Sequence, residues 1–337
     1  MNGISNSAGA PKAAYIHIPF CRSKCPYCDF NSYAGMESLC RAYVEALLIE
    51  IRQAEARERV QAQPLETVYF GGGTPTILPP EDLIRVLNAI SDSLGLCSDA
   101  EISIEANPGT VNTETLGKLR AGGFNRLSLG VQSFNDETLR RIGRIHTAEE
   151  AIRAYEDGRS SGFGNIGIDL IYALPGRDMN DWEAELVGLV RLCPEHASLY
   201  ELTICEDTPL GREALSGELA LPDEDVRLNM LLRGLELLTQ AGYERYEISN
   251  YSKPGFKCRH NQSYWRNDDY YGFGAGALNL VGGLAGGAAI FCAGLWKQSI
   301  GIRTLMGWAA LAAAGAAVVL VVVVAARFQA DRRRVGL

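Results

Sequence analysis

The stretch Tyr15-Ile-His-Ile-Pro-Phe-Cys21-Arg-Ser-Lys-Cys25-Pro-Tyr-Cys28 joins a short apolar run to three closely spaced cysteines. Iron–sulfur clusters are held by cysteine thiolates, and a four-iron cluster with three protein ligands leaves one iron open. The amino and carboxylate groups of a methionine can chelate an open iron, whereas a structural zinc site is closed by four ligands. The spacing therefore predicts a [4Fe-4S] cluster that binds S-adenosylmethionine (SAM). A zinc site completed by His17 is the alternative.

Composition limits the cellular setting and the partners. The 337 residues are 47% hydrophobic and 21% charged, with a formal net charge of −8. A protein without excess positive charge lacks the main driving force for nucleic-acid binding, so we expect no nucleic acid partner. The nine cysteines are an odd number, three of them clustered and the others scattered, which indicates a reducing, cytoplasmic compartment. The polar N-terminus has no secretory signal.

Short apolar runs alternate with helical patterns along the chain. The predicted strands are Ala14–Ile18, Thr67–Phe70, Glu101–Glu105, Arg126–Val131, Asn165–Leu170 and Ala197–Leu202. The predicted helices are Glu37–Arg59, Pro80–Leu94, Thr113–Ala121, Thr147–Ser160, Asn180–Leu192 and Asp223–Ala241. Six such units predict an α/β fold, a partial parallel (β/α)6 TIM-like barrel. An open doubly wound sheet is the alternative.

Chemically unusual residues follow the strands where each of them ends. Gly71-Gly-Gly-Thr-Pro75 comes after the second strand, and Glu105 ends the third. Gln132, Asp169 and Thr203 lie at or after the ends of the fourth, fifth and sixth. Because these ends share one face of a parallel barrel, we expect a single pocket there. Glycine lets backbone approach a ligand closely, although a tight turn also explains the glycine run.

Residues 13–277 resemble the radical-SAM coproporphyrinogen-oxidase-like family. The matching stretches are Tyr15–Phe30, Tyr69–Pro75, Glu101–Glu105, Asn125–Phe134 and Asp169–Pro175. The resemblance implies that the barrel is of the radical-SAM type and that Tyr15, Gly72 and Glu105 contact cluster-bound SAM. The residues that match a second SAM site of the related oxidase are Tyr27, Gly73, Thr74, Gln132, Arg144, Asp169 and Thr203.

Two functions remain open within this family. An oxidase would decarboxylate the propionates of coproporphyrinogen III, whereas a heme chaperone would bind heme or a porphyrin and pass it to an acceptor protein. The oxidase has a further cysteine where this chain has Phe30. His260-Asn-Gln-Ser-Tyr-Trp265 is similar to the HNxxYW motif of the chaperones and makes His260 the candidate axial heme ligand, with Cys258 as a competing thiolate. A solvated histidine on a surface loop is the structural alternative.

The resemblance ends at Ala277. We expect a flexible N-terminus over 1–12, a core barrel over 13–210, a helical and β extension over 211–277, and an apolar tail over 278–337. The tail contains two uncharged runs, Leu278–Trp296 and Thr304–Ala326, and the second is long enough to span a bilayer. It predicts a helical membrane tether for a cytoplasmic catalytic domain, with an acceptor at the membrane. A buried helix and an ending altered by frameshift or fusion are the alternatives.

Overall fold

The computed structural model describes residues 10–57 and 63–277. Its strands are β1 (Ala13–Ile18), β2 (Phe20–Cys21), β3 (Tyr33–Ala34), β4 (Leu65–Gly72), β5 (Leu96–Ala106), β6 (Arg126–Gln132), β7 (Ile166–Tyr172), β8 (His196–Glu201), β9 (Glu244–Arg245), β10 (Asn250–Ser252) and β11 (Tyr271–Phe273). Its helices are α1 (Cys40–Arg57), α2 (Pro80–Leu94), α3 (Thr113–Ala121), α4 (Asp136–Arg141), α5 (Ala148–Ser160), α6 (Met179–Leu192), α7 (Pro209–Leu215), α8 (Glu224–Gln240) and α9 (Arg259–Trp265).

The main sheet follows the order β11-β1-β4-β5-β6-β7-β8-β10-β9. The strands from β1 to β8 in this order are parallel and neighbour one another in chain order. In a doubly wound sheet, the order of the strands reverses near the middle of the sheet. The sequential strand order seen here therefore confirms the partial barrel and excludes the doubly wound alternative. All carboxyl ends of these strands therefore lie on one face.

The six predicted strands coincide with β1 and β4 to β8, because buried parallel strands read as continuous apolar runs. Helix α2 has the predicted bounds and packs Leu83, Val86 and Ile90 into the core. Helix α1 begins at Cys40, after a 3-10 turn, and not at the predicted Glu37. Helices α4, α7 and α9 and strands β9 to β11 were not predicted, since each is too short to show a periodic pattern.

Residues 211–277 complete both edges of the sheet. Strand β10 pairs antiparallel with β8, and β11 pairs parallel with β1. The expectations for residues 1–9 and for the apolar tail over 278–337 lie outside the described residues. Within the part of the chain that the structure describes, no helix is long and apolar enough to cross a membrane.

Candidate cofactor site

A cavity of about 590 Å³ opens among the carboxyl ends of the parallel strands and reaches down inside the barrel. Every residue that the sequence assigned to a cofactor lines it. These residues are Tyr15, Cys21, Cys25, Tyr27, Cys28, Gly72, Gly73, Thr74, Glu105, Gln132, Arg144, Asp169, Thr203 and His260. The expectation of one shared pocket is therefore met in the geometry.

The cysteine loop leaves β2 and turns back through a hydrogen bond from the Cys28 N–H to the Cys25 carbonyl, at 3.1 Å. Two donors point at its sulfurs. The Thr74 hydroxyl lies 3.6 Å from the Cys21 Sγ, and the Arg144 Nη1 lies 3.6 Å from the Cys25 Sγ. Three half-buried thiols, two of them with a donor aimed at the sulfur, fit a set of thiolate ligands.

His17, the fourth ligand of the zinc alternative, is engaged elsewhere. Its Nδ1 lies 3.1 Å from the Tyr15 hydroxyl, and its Nε2 lies 2.8 Å from the Asn31 carbonyl. Burial lowers the pKa of the ring, so His17 is neutral at physiological pH. In this arrangement it holds the chain around the cysteine loop.

The glycine loop after β4 packs directly against β1 and β2. Gly72 has φ +109°, and a Cβ there would lie 2.5 Å from the His17 ring. A Cβ on Gly73 would lie 2.6 Å from the Phe20 carbonyl oxygen. Only glycine fits at these two positions without displacing backbone or ring, so packing alone explains the pair. Both glycines also line the cavity.

Two carboxylates face the cavity with raised pKa values. Glu105 accepts hydrogen bonds from the Tyr69 hydroxyl at 2.8 Å and from the Gly72 N–H at 3.2 Å. Burial raises its pKa to about 7, and the charge of Asp169 adds to the effect. Burial also raises the pKa of Asp169, which accepts from the Ser128 hydroxyl at 3.3 Å. Glu105 is thus poised to change its charge near neutral pH.

Gln132 combines a left-handed backbone with an unsatisfied side-chain oxygen. Its φ is +70°, a left-handed backbone rarely adopted by a residue other than glycine. Its side-chain Oε1 is buried without a hydrogen-bond partner. Local strain and an unsatisfied polar atom cluster at functional sites, and both occur here at the cavity wall. A bound cofactor with a donor group would satisfy this oxygen.

The HNxxYW segment forms α9, which closes the barrel near the amino ends of the strands. His260 is buried, so the alternative of a solvated histidine on a surface loop is wrong. Its Nδ1 lies 2.8 Å from the Thr67 hydroxyl and its Nε2 lies 2.9 Å from the Tyr264 hydroxyl. Burial lowers the pKa of His260 to about 3, so the ring is neutral. Buried Cys258 caps α9 and its thiol donates to Glu101.

Several residues that line the cavity were not predicted from the sequence. Arg126 and Ser128 on β6, His196 on β8 and Tyr69 on β4 all line the deeper part of the cavity. The signal that could have found Arg126 is a charged residue inside an otherwise apolar buried strand. His146 lies outside this lining; it is buried and bonds the Asn107 side chain and the Val131 carbonyl.

Comparisons with known proteins agree with this geometry. Residues 15–186 match the model of the Radical SAM superfamily. A heme chaperone HemW from Synechocystis sp. is 43% identical over 81% of this chain and 67% of its own length. The HemW of Escherichia coli is 41% identical over 80% of this chain and 70% of its own length. In structure, the chain is similar to the radical SAM coproporphyrinogen III oxidase HemN of Escherichia coli, with a TM-score of 0.70 and 27% identity. That match covers 81% of this chain and 65% of the oxidase chain.

Proposed function

The chain belongs to the radical SAM superfamily and, within it, to the coproporphyrinogen-oxidase-like family that includes the HemW chaperones, and we propose that it is a heme chaperone. It would bind heme and transfer it to an acceptor protein. The observation that carries this proposal is a neutral histidine on α9 that lines the same cavity as the cysteine loop. Neutral imidazole is a normal axial ligand of heme iron.

Iron ligation by His260 would require one local change. The Nε2 atom, which faces the Tyr264 hydroxyl, has to become free. The side chain of Tyr264 is accessible, since the residue is 41% exposed. A rotation of Tyr264 toward solvent would therefore release a ring nitrogen, while the Thr67 hydroxyl continues to orient the ring from Nδ1.

The cofactors of the family are a [4Fe-4S] cluster and SAM. When bound and reduced, such a cluster would supply the single electron needed for the reductive cleavage of SAM. We assign Cys21, Cys25 and Cys28 as the cluster ligands. Gly72, Glu105 and Tyr15 would hold the amino-acid part of SAM, since they adjoin the cysteine loop in the cavity.

The remaining lining residues have a simpler assignment. We propose that they enclose the rest of the bound SAM, or a second molecule of it, and exclude water from the reacting atoms. They are Tyr27, Gly73, Thr74, Gln132, Arg144, Asp169 and Thr203. Of these, Arg144 also donates to the Gly130 carbonyl at 2.6 Å, which fixes its guanidinium beside the cysteine loop.

The setting of the protein follows from its thiol chemistry. Exposed iron–sulfur clusters need a reducing environment, so we place the protein in the cytoplasm. The apolar residues over 278–337 would tether it to a membrane, where the heme acceptor would lie. Coproporphyrinogen oxidation is the second candidate function, favoured by the structural similarity to HemN.

One titration separates the two functions. Purified protein is mixed with heme, and separately with coproporphyrinogen III, SAM and a reductant. The chaperone is expected to give a stoichiometric Soret shift and little carbon dioxide, and His260→Ala should weaken heme binding and change the spectrum. His146→Ala is the matched control, because His146 is equally buried and hydrogen-bonded but does not line the cavity. Brisk decarboxylation without heme binding would establish the oxidase instead.

A further inference from the structure

The turn that follows β6 is tied to α6 by one carboxylate. Glu185 on α6 accepts a hydrogen bond from the Ser133 hydroxyl and another from the Phe134 N–H, both at 2.5 Å. Burial raises the pKa of Glu185, but both groups that face its oxygens donate and favour the ionised form. Ser133 is 1% exposed, and neither it nor Glu185 lines the cavity. This contact therefore lies behind the cavity wall and not in it.

Gln132, the residue before this turn, lies at the end of a β-bulge. Strand β6 pairs with β7 at Leu129 opposite Ile168 and again at Gln132 opposite Leu170, so β6 has one residue more over this stretch. Bulges next to active sites commonly redirect a side chain. Here the bulge ends on a residue with φ +70° that lines the cavity, and its buried Oε1 has no hydrogen-bond partner among the described residues.

The two bonds to Glu185 hold the chain where it leaves the bulge. A left-handed conformation is unfavourable for a residue with a side chain and persists only where the surrounding structure holds it. Bonds to an ionised carboxylate are stronger than bonds between neutral groups, and these two are made by successive residues. On the same face of α6, Gly188 leaves room for the Phe134 ring, since a Cβ there would lie 3.1 Å from it. Helix α6 thus restrains both residues after Gln132.

Helix α6 does not depend on Glu185 for its own place in the fold. It buries Trp182, Leu186 and Leu189, and the Trp182 Nε1 donates to the Met230 carbonyl at 2.8 Å. Burial of three large apolar side chains is enough to hold a helix against the protein. A change at Glu185 should therefore leave α6 docked and alter the turn after β6.

We propose that Glu185 is a positioning residue for SAM. Through the turn after β6 it holds Gln132 in the conformation that presents the side-chain oxygen to a donor group of bound SAM. Glu185 itself does not touch the ligand. The inference rests on the proposed function, because it requires the SAM site assigned above, and it adds to that site a residue from outside the cavity lining.

Glu185→Gln tests this role, because it keeps the size of the side chain and turns one acceptor into a donor. Ser133→Ala removes one of the two bonds from the other side. Glu183→Gln is the matched control, since Glu183 lies on the same helix, is 45% exposed and pairs with Arg233. Anaerobically reconstituted protein is titrated with radiolabelled SAM in the absence of reductant, so that binding is measured without cleavage.

Glu185→Gln and Ser133→Ala should each weaken SAM binding about tenfold, the size of one lost donor–acceptor contact. Glu183→Gln should bind SAM as wild type does. If the titration has two steps, the step that Gln132→Ala shifts is the one compared. Melting curves show whether each variant folds.

A double-mutant cycle separates positioning from a merely structural role. Gln132→Ala should weaken SAM binding by a similar factor, and adding Glu185→Gln to it should cause no further loss, because the side chain to be positioned is gone. If Glu185 supported the site in another way, the two losses would multiply.

The outcomes distinguish the inference from the proposed function. Wild-type SAM affinity of Glu185→Gln, or losses that multiply in the double variant, would overturn the positioning role while SAM binding by wild type still stands. Unchanged SAM binding by Gln132→Ala would also overturn it, because Gln132 would then make no contact with SAM. A wild-type protein that binds no SAM would overturn the cofactor assignment and this inference together.

Discussion

Glu101→Gln should loosen α9, because a single buried carboxylate holds the start of this helix. The backbone N–H of Arg259 donates to one oxygen at 3.1 Å and that of His260 donates to the other at 3.2 Å. The thiol of Cys258 also donates to this carboxylate, at 3.5 Å. Glutamine keeps one acceptor oxygen but turns the other into an NH2 group that faces a donor. The change therefore removes one hydrogen bond and weakens the remaining contacts.

The expected magnitude follows from these contacts. A charge-assisted hydrogen bond stabilises a fold by about 1.5 to 3 kcal/mol, and Glu101 is only 8% exposed, so little solvent screening reduces this value. We expect the local opening of α9 to become easier by about 2 kcal/mol, which raises its amide exchange roughly 30-fold. Hydrogen–deuterium exchange of a peptide that covers α9 measures this directly.

A matched variant controls for the loss of a surface carboxylate. Glu45→Gln breaks an exposed pair with Arg85, with side chains 53% and 47% exposed. Such a pair contributes about 0 to 1 kcal/mol, so α9 exchange and urea unfolding should be nearly unchanged. If Glu101→Gln leaves exchange across α9 at the wild-type rate, Glu101 does not hold the helix, and our account of how His260 is placed is wrong.

Three further predictions concern the other end of the cavity. Because Glu105 has a folded pKa of about 7, above its unfolded value, wild-type stability should fall as the pH rises from about 4.5 to 7, by up to about 3 kcal/mol. In Glu105→Gln, the free energy of urea unfolding should no longer fall in this way between pH 5 and pH 8. If the variant shows the same fall as wild type, the raised pKa of Glu105 is not its cause. Gly72→Ala should lower the free energy of unfolding by about 3 kcal/mol, because the backbone φ is positive and the new Cβ would clash with the His17 ring. Gly117→Ala, whose Cβ has open space around it, should not destabilise the fold in the same thermal or urea unfolding experiments. After anaerobic reconstitution, iron content should fall from about four per chain to near zero on changing the cluster ligands to alanine, and zinc or retained iron would contradict the assignment. The positions to change are Cys21, Cys25 and Cys28.

The sequence predicted the sheet and the part of the site at the carboxyl ends of the strands, and the reason is physical. Parallel strands buried on both faces are continuous apolar runs, and the residues that end them meet on one face. Glu105, Gln132 and Asp169 could therefore be brought together without knowledge of any contact. The glycines at 72 and 73 were found by the same rule, but their close approach to His17 and Phe20 depends on the register of β1 and β4.

The part of the site near the amino ends of the strands could not be predicted in this way. Helix α9 has seven residues, and its position depends on tertiary contacts with Glu101 and Thr67. A helix this short has little intrinsic stability and spans too few turns to show a periodic hydrophobic pattern in the sequence. The motif identified His260 as important, but only the packing of α9 shows that the histidine points into the barrel and not toward solvent.

The two halves together give the cavity two chemically different ends. At the carboxyl ends of the strands are three thiols and the raised pKa of Glu105, which suit a cluster and a ligand with donor groups. At the amino ends are the neutral ring of His260 and the buried guanidinium of Arg126. A ligand bound by His260, near the amino ends of the strands, would extend its remaining atoms toward the cysteine loop. A ligand at one end of the cavity therefore limits the space at the other. If heme and SAM share this cavity of about 590 Å³, each should weaken the binding of the other, and linkage requires the two effects to be equal in size.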